Sequence, residues 1–175
     1  MTVGLYKVGP LKQETNMMLV KKIENSTDFL QAMQIRTTVF VDEQGVPASE
    51  EYDGYDNEAT HFIAVHERIY AGTARWRMTS KGVKLERFAV LADHRRKGVG
   101  AALLDAVLGD VGRHQEAAKK TIYIHAQSQA VPFWEKEGFA VEGQEFIEAD
   151  IPHFRMVYGS AGNQATNKYS ELAVG

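Results

Sequence analysis

The chain has 175 residues, 44% of them hydrophobic and 25% charged. That is the balance of an ordinary globular protein, with enough length for one core unsupported by disulfides. A formal net charge of −3 and a pI near 6.1 argue against a nucleic-acid partner, and the absence of cysteine removes disulfides, thiolate metal sites and a thiol nucleophile together. No run of about 18 apolar residues suggests a membrane partner. Without a signal-like leader the expected location is cytoplasmic.

In chain order, residues 1–17 mix Gly, Pro, Lys and Thr without period and read as an amino-terminal arm. Residues 18–158 carry the periodic segments of one domain, and residues 159–175, small and polar, read as a tail. Met18 to Ile23 reads as a strand. A helix capped by Asn25, Ser26 or Thr27 follows, with an expected apolar face at Phe29, Met33, Thr37 and Phe40. Gly45 and Pro47 end it, and the acidic stretch Ser49 to Glu58 has the composition of a solvated loop. Three β-rich runs, Thr60 to His66, Tyr70 to Met78 and Val83 to Val90, suggest an antiparallel meander. Gly98 to Arg113 is a helix with Val99, Leu103 and Val107 on one face and Leu104, Leu108 and Val111 beside them. Thr121 to Ala126 is a strand, Gln129 to Glu137 a short helix, and Phe139 to Ile147 and Pro152 to Tyr158 the last strands. The order is mixed α/β, with no internal repeat.

The segment richest in chemistry is Asp93-His94-Arg95-Arg96-Lys97-Gly98-Val99-Gly100-Ala101, placed between a strand and a hydrophobic helix. Gly98 and Gly100 let backbone approach a ligand closely, and the first N–H groups of the helix point outward with its positive dipole end. Arg95, Arg96 and Lys97 add cations, as a pyrophosphate with a further phosphate nearby requires. A lone G-x-G is more often a packing feature than a ligand site. A bulky residue at Gly98 is expected to obstruct binding sterically. No Ser or Thr follows a lysine here, and no glycine-rich Rossmann turn is present, which disfavours nucleotide hydrolysis and hydride transfer.

In this context the sequence resembles the GNAT superfamily of acyl-CoA N-acyltransferases. Arg95, Gly98 and Gly100 match its R/Q-x-x-G-x-G/A signature, and Ala130, Phe133, Trp134, Gly138 and Phe139 follow its A-x-x-F/L-Y-x-x-x-G-F pattern. Phe40 to Gln44, Gly72 to Arg77, Leu85-Glu86-Arg87 and Ile151-Pro152-His153 resemble a bacterial-type, uncharacterised branch. The likeness spans about Met18 to Tyr158. It implies an α/β GNAT fold whose mixed, mostly antiparallel sheet is flanked by helices and splayed between two parallel strands, Val83 to Val90 and Thr121 to Ala126. The pantetheine arm of acetyl-CoA, the implied co-substrate, lies in that split, held by the backbone of Phe88, Ala89 and Val90, the turn and helix start from Arg95 through Lys97 and Val99 to Ala101, and the aromatics Phe133 and Trp134.

The implied reaction moves the acetyl group onto a primary amine of a small molecule. An ammonium has no lone pair, so a base is needed near neutral pH. His153 resembles the base of related N-acetyltransferases; Glu86 is the second candidate and His125 the third, while His61 is expected to tie strand to loop. The alternative reading of Glu86 is a salt bridge with Arg87 or Lys84. A backbone N–H near Phe88 or Ala89 meets the oxyanion. Where the family places a tyrosine that protonates the departing thiolate, this chain has Trp134, whose indole has no useful acidity; Tyr123 or Tyr158 are the substitutes to consider. Arg75 and Arg77 share a strand face and, with Arg87 and Arg36, suit a substrate carboxylate or phosphate, whereas the acidic loop favours a cationic amine. No metal is expected, because Asp53 and Asp56 lack EF-hand spacing. Other readings are an acyl-CoA-binding sensor with decayed catalysis, motivated by Trp134, and a protein N-acetyltransferase. A homodimer is compatible with the sequence, though no apolar stripe demands one.

Overall fold

The structure, a computed structural model, describes residues 17–159; apart from Met17 and Gly159, the expected arm and tail lie outside the described residues. Strand β1 (Met18–Lys22) leads to helix α1 (Ser26–Arg36). Asn25 caps α1, its Oδ1 accepting the Asp28 N–H at 2.9 Å, which satisfies one of the free donors of the first turn. The helix continues as a wider π-helical segment, Thr37–Glu43, a distortion frequent at functional sites. Its buried positions are Asp28, Ala32, Ile35, Arg36 and Val39, a different face from the one the apolar pattern suggests. Small and branched Ala32, Ile35 and Val39 pack on Ile63 and Ala89, and Arg36 turns inward because buried carboxylates meet it there.

A short helix α2 (Ala48–Glu51) and a 3-10 turn (Tyr55–Glu58) lead to β2 (Thr60–His66), β3 (Ile69–Thr79) and β4 (Gly82–Val90), the expected meander. Helix α3 (Val99–Arg113), β5 (Ile122–Gln127), α4 (Val131–Lys136), β6 (Phe139–Val141), β7 (Phe146–Glu148) and β8 (Ile151–Tyr158) complete the chain. The run read as one strand, Phe139 to Ile147, is two, because Gly143 at φ +90° turns the chain between them. Both pair with β8, and the sheet order is β1-β2-β3-β4-β5-β8-β6.

Every pairing is antiparallel except β4 with β5. That parallel pairing covers only Val83–Leu85 against Ile122–Ile124, and beyond it the strands part. On the partner side of β4, the register slips between Thr73 and Arg75, where Arg87 adopts a left-handed φ of +58°. The extra residue is a β-bulge, and it flips the side-chain parity of the strand. Val83 and Leu85 face the α3 core before it and Phe88 and Val90 after it, so Glu86 and Arg87 both reach the opposite face.

The core on the α3 side joins the predicted stripe Val99, Leu103, Leu104, Val107, Leu108 and Val111 to Phe62, Leu85, Ile124 and Met156. All six helix positions are at most 4% exposed, and burying each such side chain contributes roughly 1.5–3 kcal/mol. A smaller cluster packs α1 on the other face.

Candidate active site

Where β4 and β5 separate, the split opens into a cavity of about 490 Å³. One wall is β4 from Lys84 to Val90 and the other is β5 from Ile124 to Gln127. The π-helical segment and α2 close one side through Phe40, Gln44 and Glu51, and the β7–β8 hairpin closes the other through Glu148, Ile151 and His153. Ala149 and Asp150 at the tip of that hairpin have φ of +51° and +58°, the paired left-handed values of a type I′ turn built without glycine or asparagine.

The glycine turn sits beside the cavity. Gly98, at φ +84°, is the N-cap of α3, and no side chain caps the helix, so the N–H groups of its first turn are free for a ligand. A Cβ at Gly98 would meet nothing within 4 Å, whereas one at Gly100 would touch Phe133 at 3.4 Å. Within the protein the requirement for glycine at position 98 is therefore one of backbone conformation, and the obstruction expected from a bulkier residue there concerns a bound ligand and not the fold. Arg96 and Lys97 are exposed. Arg95 is engaged within the protein: its Nη1 and Nη2 donate to Glu43 at 2.5 and 2.6 Å and its Nε to the Val90 carbonyl at 2.9 Å, so in this state it clamps the π-helical segment to the end of β4. Glu43 was not legible as its partner, because the two lie 52 residues apart.

Trp134 lines the cavity and is 7% exposed. Its ring meets Phe88, Phe133 and Phe139 edge-on at 5.0–5.2 Å, which fits an apolar wall for a pantetheine arm. The tyrosines considered as acid substitutes lie elsewhere. Tyr123 shares a hydrogen bond with Thr79 at 2.9 Å, and neither it nor Tyr158 lines the cavity.

Three of the four arginines assigned to substrate are enclosed in an ionic network. Arg36 pairs with Glu51 and, at 2.6 Å, with Asp56. Arg75, fully buried, binds Asp53 at 2.5 Å, Asp56 at 2.6 Å and Glu86 at 3.0 Å. Arg77 binds Glu86 at 2.6 Å and stacks on Tyr55. The acidic stretch expected to be solvated is thus pinned to the sheet, and Asp53 and Asp56 fall below the usual carboxylate range: burial pushes them up, but the guanidinium groups more than offset it. His61 ties the same loop down as expected, its Nε2–H donating to the Asp56 carbonyl at 2.9 Å. Of the four, only Arg87 lines the cavity, although its Nη2 also donates to the carbonyls of Glu50 and Glu51 and to Asp53. Lys84 joins it there.

Glu86 reaches the cavity but is held by Arg75, Arg77 and Lys84. The ion pair with Lys84, its alternative reading, is present at 3.2 Å, and Arg75 and Arg77 bind it in place of Arg87. Burial pushes the carboxyl up, yet the attraction of Arg75, Lys84 and Arg77 brings it below its ordinary value. His153, 8% exposed, donates its Nδ1–H to the Ile151 carbonyl at 2.7 Å, which leaves Nε2 as the lone-pair nitrogen of the neutral ring. Phe146 stacks on it at 5.9 Å. His125 also lines the cavity, 2.8 Å from Glu148. The sequence reading missed Glu148; alternation from Phe146 would have placed it on the histidine face.

A sheet split between its one parallel pair, a glycine turn at a bare helix start beside it, and ionisable groups at its apex are the parts of an acyl-CoA transferase. Residues 25–159 match the acetyltransferase (GNAT) domain family, and the chain belongs to that family of acetyl-CoA-dependent N-acetyltransferases. It is 38% identical over 135 residues to the uncharacterized N-acetyltransferase YjcF of Bacillus subtilis, covering 77% of this chain and 94% of that one. It is 33% identical over 142 residues to the uncharacterized protein YyaT of the same organism, covering 79% and 94%. Its fold is shared with ElaA of Escherichia coli at a TM-score of 0.72 and 24% identity, over 81% of this chain and 99% of that one. A GNAT family acetyltransferase from Elizabethkingia anophelis, solved with acetyl-CoA bound, superposes at a TM-score of 0.57 with 13% identity, over 80% and 94%.

Proposed function

We propose that this acetyltransferase moves the acetyl group of acetyl-CoA to a primary amine of a small molecule by direct attack, in the cytoplasm. The observation that carries the reading is the cavity at the β4–β5 split, which places the backbone of Phe88 to Val90, the wall formed by Trp134 and the side chain of His153 around one space. The pyrophosphate would rest on the first turn of α3, from Gly98 to Ala101, with Arg96 and Lys97 beside it, while Phe133 packs against the glycine turn. Arg95 serves this cradle by fixing its approach. A backbone N–H near Phe88 or Ala89, just past the bulge at Arg87, meets the oxyanion, and Arg87 is the arginine left to touch the acceptor.

His153 removes the proton that keeps the incoming amine unreactive, through Nε2. Glu86, stabilised as a carboxylate by three cations, is the weaker base and acts through its charge. A cavity set between two strands, the π-helical segment and the β7–β8 hairpin favours a small acceptor over a protein one. Trp134 in the tyrosine position keeps a sensor role as the second reading. Thermal unfolding with and without acetyl-CoA tests the proposal. At 100 times Kd the ligand adds about 2.7 kcal/mol, a rise in Tm on the order of 5–10 °C for a protein of this size. A rise absent with ATP and NAD, followed by thiol release with an amine panel, supports the enzyme; a rise without release on any amine supports the sensor, and no rise overturns both.

A further inference from the structure

His125 occupies the apex of the split. The parallel pairing of β4 and β5 ends at Leu85 and Ile124, and His125 is the next residue along β5. Its ring lines the cavity, and its Nδ1 stands 2.8 Å from Glu148 Oε2. Glu148 is an acceptor only, because the hydrogen bond from His125 brings its carboxyl down to about 2 against the opposing effect of burial, with Lys84 and His153 adding to the lowering. The shared proton therefore sits on His125 Nδ1, the tautomer is fixed, and Nε2 is left as the nitrogen available to the cavity. Phe146 holds the ring from another side, edge-on at 4.9 Å.

No other group at the apex is as well prepared. Glu86, the first residue of β4 past the pairing, is occupied by three cations. Lys84 is paired with Glu86. Trp134 supplies no acid, and among the described residues no tyrosine lines the cavity. His153 faces Gln127 across the β5–β8 ladder, one pleat further from the apex than His125, which faces Arg155.

We propose that His125 is a second catalytic histidine, oriented by Glu148, that carries the proton of the attacking nitrogen to the departing sulfur. This rests on the acetyl-CoA reading above. Once His153 has taken the ammonium proton, the amine attacks the thioester carbon and the C–N bond forms, leaving an excess proton on nitrogen. His125 Nε2 accepts that proton. The C–S bond then breaks with its electron pair on sulfur, and the imidazolium returns the proton to the thiolate, giving the amide, free CoA and a neutral ring. Glu148 is the positioning residue, since it touches only His125 in this scheme. A single carboxylate-held histidine thus performs the work for which Trp134 is unsuited.

The test uses the full chain labelled with ¹⁵N-histidine, titrated with CoA and with desulfo-CoA, which lacks only the sulfur; His125→Gln assigns the resonances, and melting temperature reports binding independently. The proposal expects both ligands to raise the melting temperature and CoA alone to displace the His125 Nε2 signal. It also expects Glu148→Gln to convert the single tautomer of His125 into a mixture while the CoA-induced rise in melting temperature persists. Equal His125 signals with two bound ligands overturn the proton transfer to sulfur. A single tautomer retained in Glu148→Gln overturns the positioning role. No melting shift with either ligand overturns the acetyl-CoA reading itself, and this proposal with it.

Discussion

Glu86 and His153 reach the same cavity with opposite preparation for proton transfer. The carboxylate of Glu86 has its lone pairs directed at Arg75, Arg77 and Lys84, so protonating it means breaking ion pairs in a buried place. His153 has its Nδ1–H engaged by a backbone carbonyl, and among the described residues no cation is paired with its Nε2. Replacing His153 by Ala should therefore lower kcat by roughly 10²–10⁴-fold while leaving the acetyl-CoA-induced rise in melting temperature intact. Steady-state kinetics across pH, with an amine from the panel, provide the check; an unchanged pH–rate profile in His153→Ala would refute the assignment. At this scale the sequence was a partial guide. The cavity-facing histidines could be listed as residue types that exchange protons near neutrality, but Arg36 and Arg75 could not be recognised as buried, since their partners Glu51, Asp53 and Asp56 lie up to 22 residues away.

The loop from α2 to β2 is an element held chiefly by charge. Glu51, Asp53 and Asp56 bridge Arg36 on α1, Arg75 on β3 and Arg87 on β4, while the loop's own large side chains Tyr52 and Tyr55 are exposed. Such an attachment depends on pH with a definite sign. Asp53, Asp56 and Glu86 have folded-state values below their ordinary 3.8, 3.8 and 4.5. Each stabilises the fold above the ordinary value, and that contribution is lost as pH falls through the folded one. Hydrogen exchange in residues 50–58 should thus stay slow from pH 7 to 5 and accelerate below about pH 4, before the sheet amides respond. Removing Arg75 as Arg75→Met should loosen the same loop at neutral pH and destabilise the protein by about 1–3 kcal/mol, because Asp53, Asp56 and Glu86 each lose one charged hydrogen-bond partner while keeping Arg87, Arg36 and Arg77 with Lys84. Loop exchange indifferent to acid would refute the electrostatic attachment. The composition of the stretch, five acids in ten residues from Ser49 to Glu58, read as solvated because a charge run carries no mark of what it will face. The bulge at Arg87 was equally hidden, since strict alternation along Val83 to Val90 assigns Arg87 to the core side.

Across the whole molecule, the order of elements was legible because long periodic segments decide it: the α3 stripe and the meander β2–β4 are each set by local pattern, and the glycine turn lies between them in sequence. The split was supplied by resemblance alone, as no local pattern says where a parallel pair stops. Its geometry is coupled to the core at Gly72, where α3 presses directly on β3. A Cβ there would stand 2.9 Å from Val99 Cγ1, 3.0 Å from Leu103 Cδ1 and 3.1 Å from the Ala89 carbonyl, and two of these neighbours, Val99 and Ala89, belong to the expected acetyl-CoA cradle. Overpacking of this kind costs typically 1–3 kcal/mol. In Gly72→Ala the melting temperature should therefore fall by roughly 2–12 °C, and because the helix start and the β4 backbone are pushed apart together, the acetyl-CoA affinity should fall as well. Calorimetric titration at a temperature where the variant is fully folded separates the two effects. A lower melting temperature with unchanged affinity would mean that the first turn of α3 keeps its position over the split by contacts of its own, with the packing beneath it dispensable for holding the ligand.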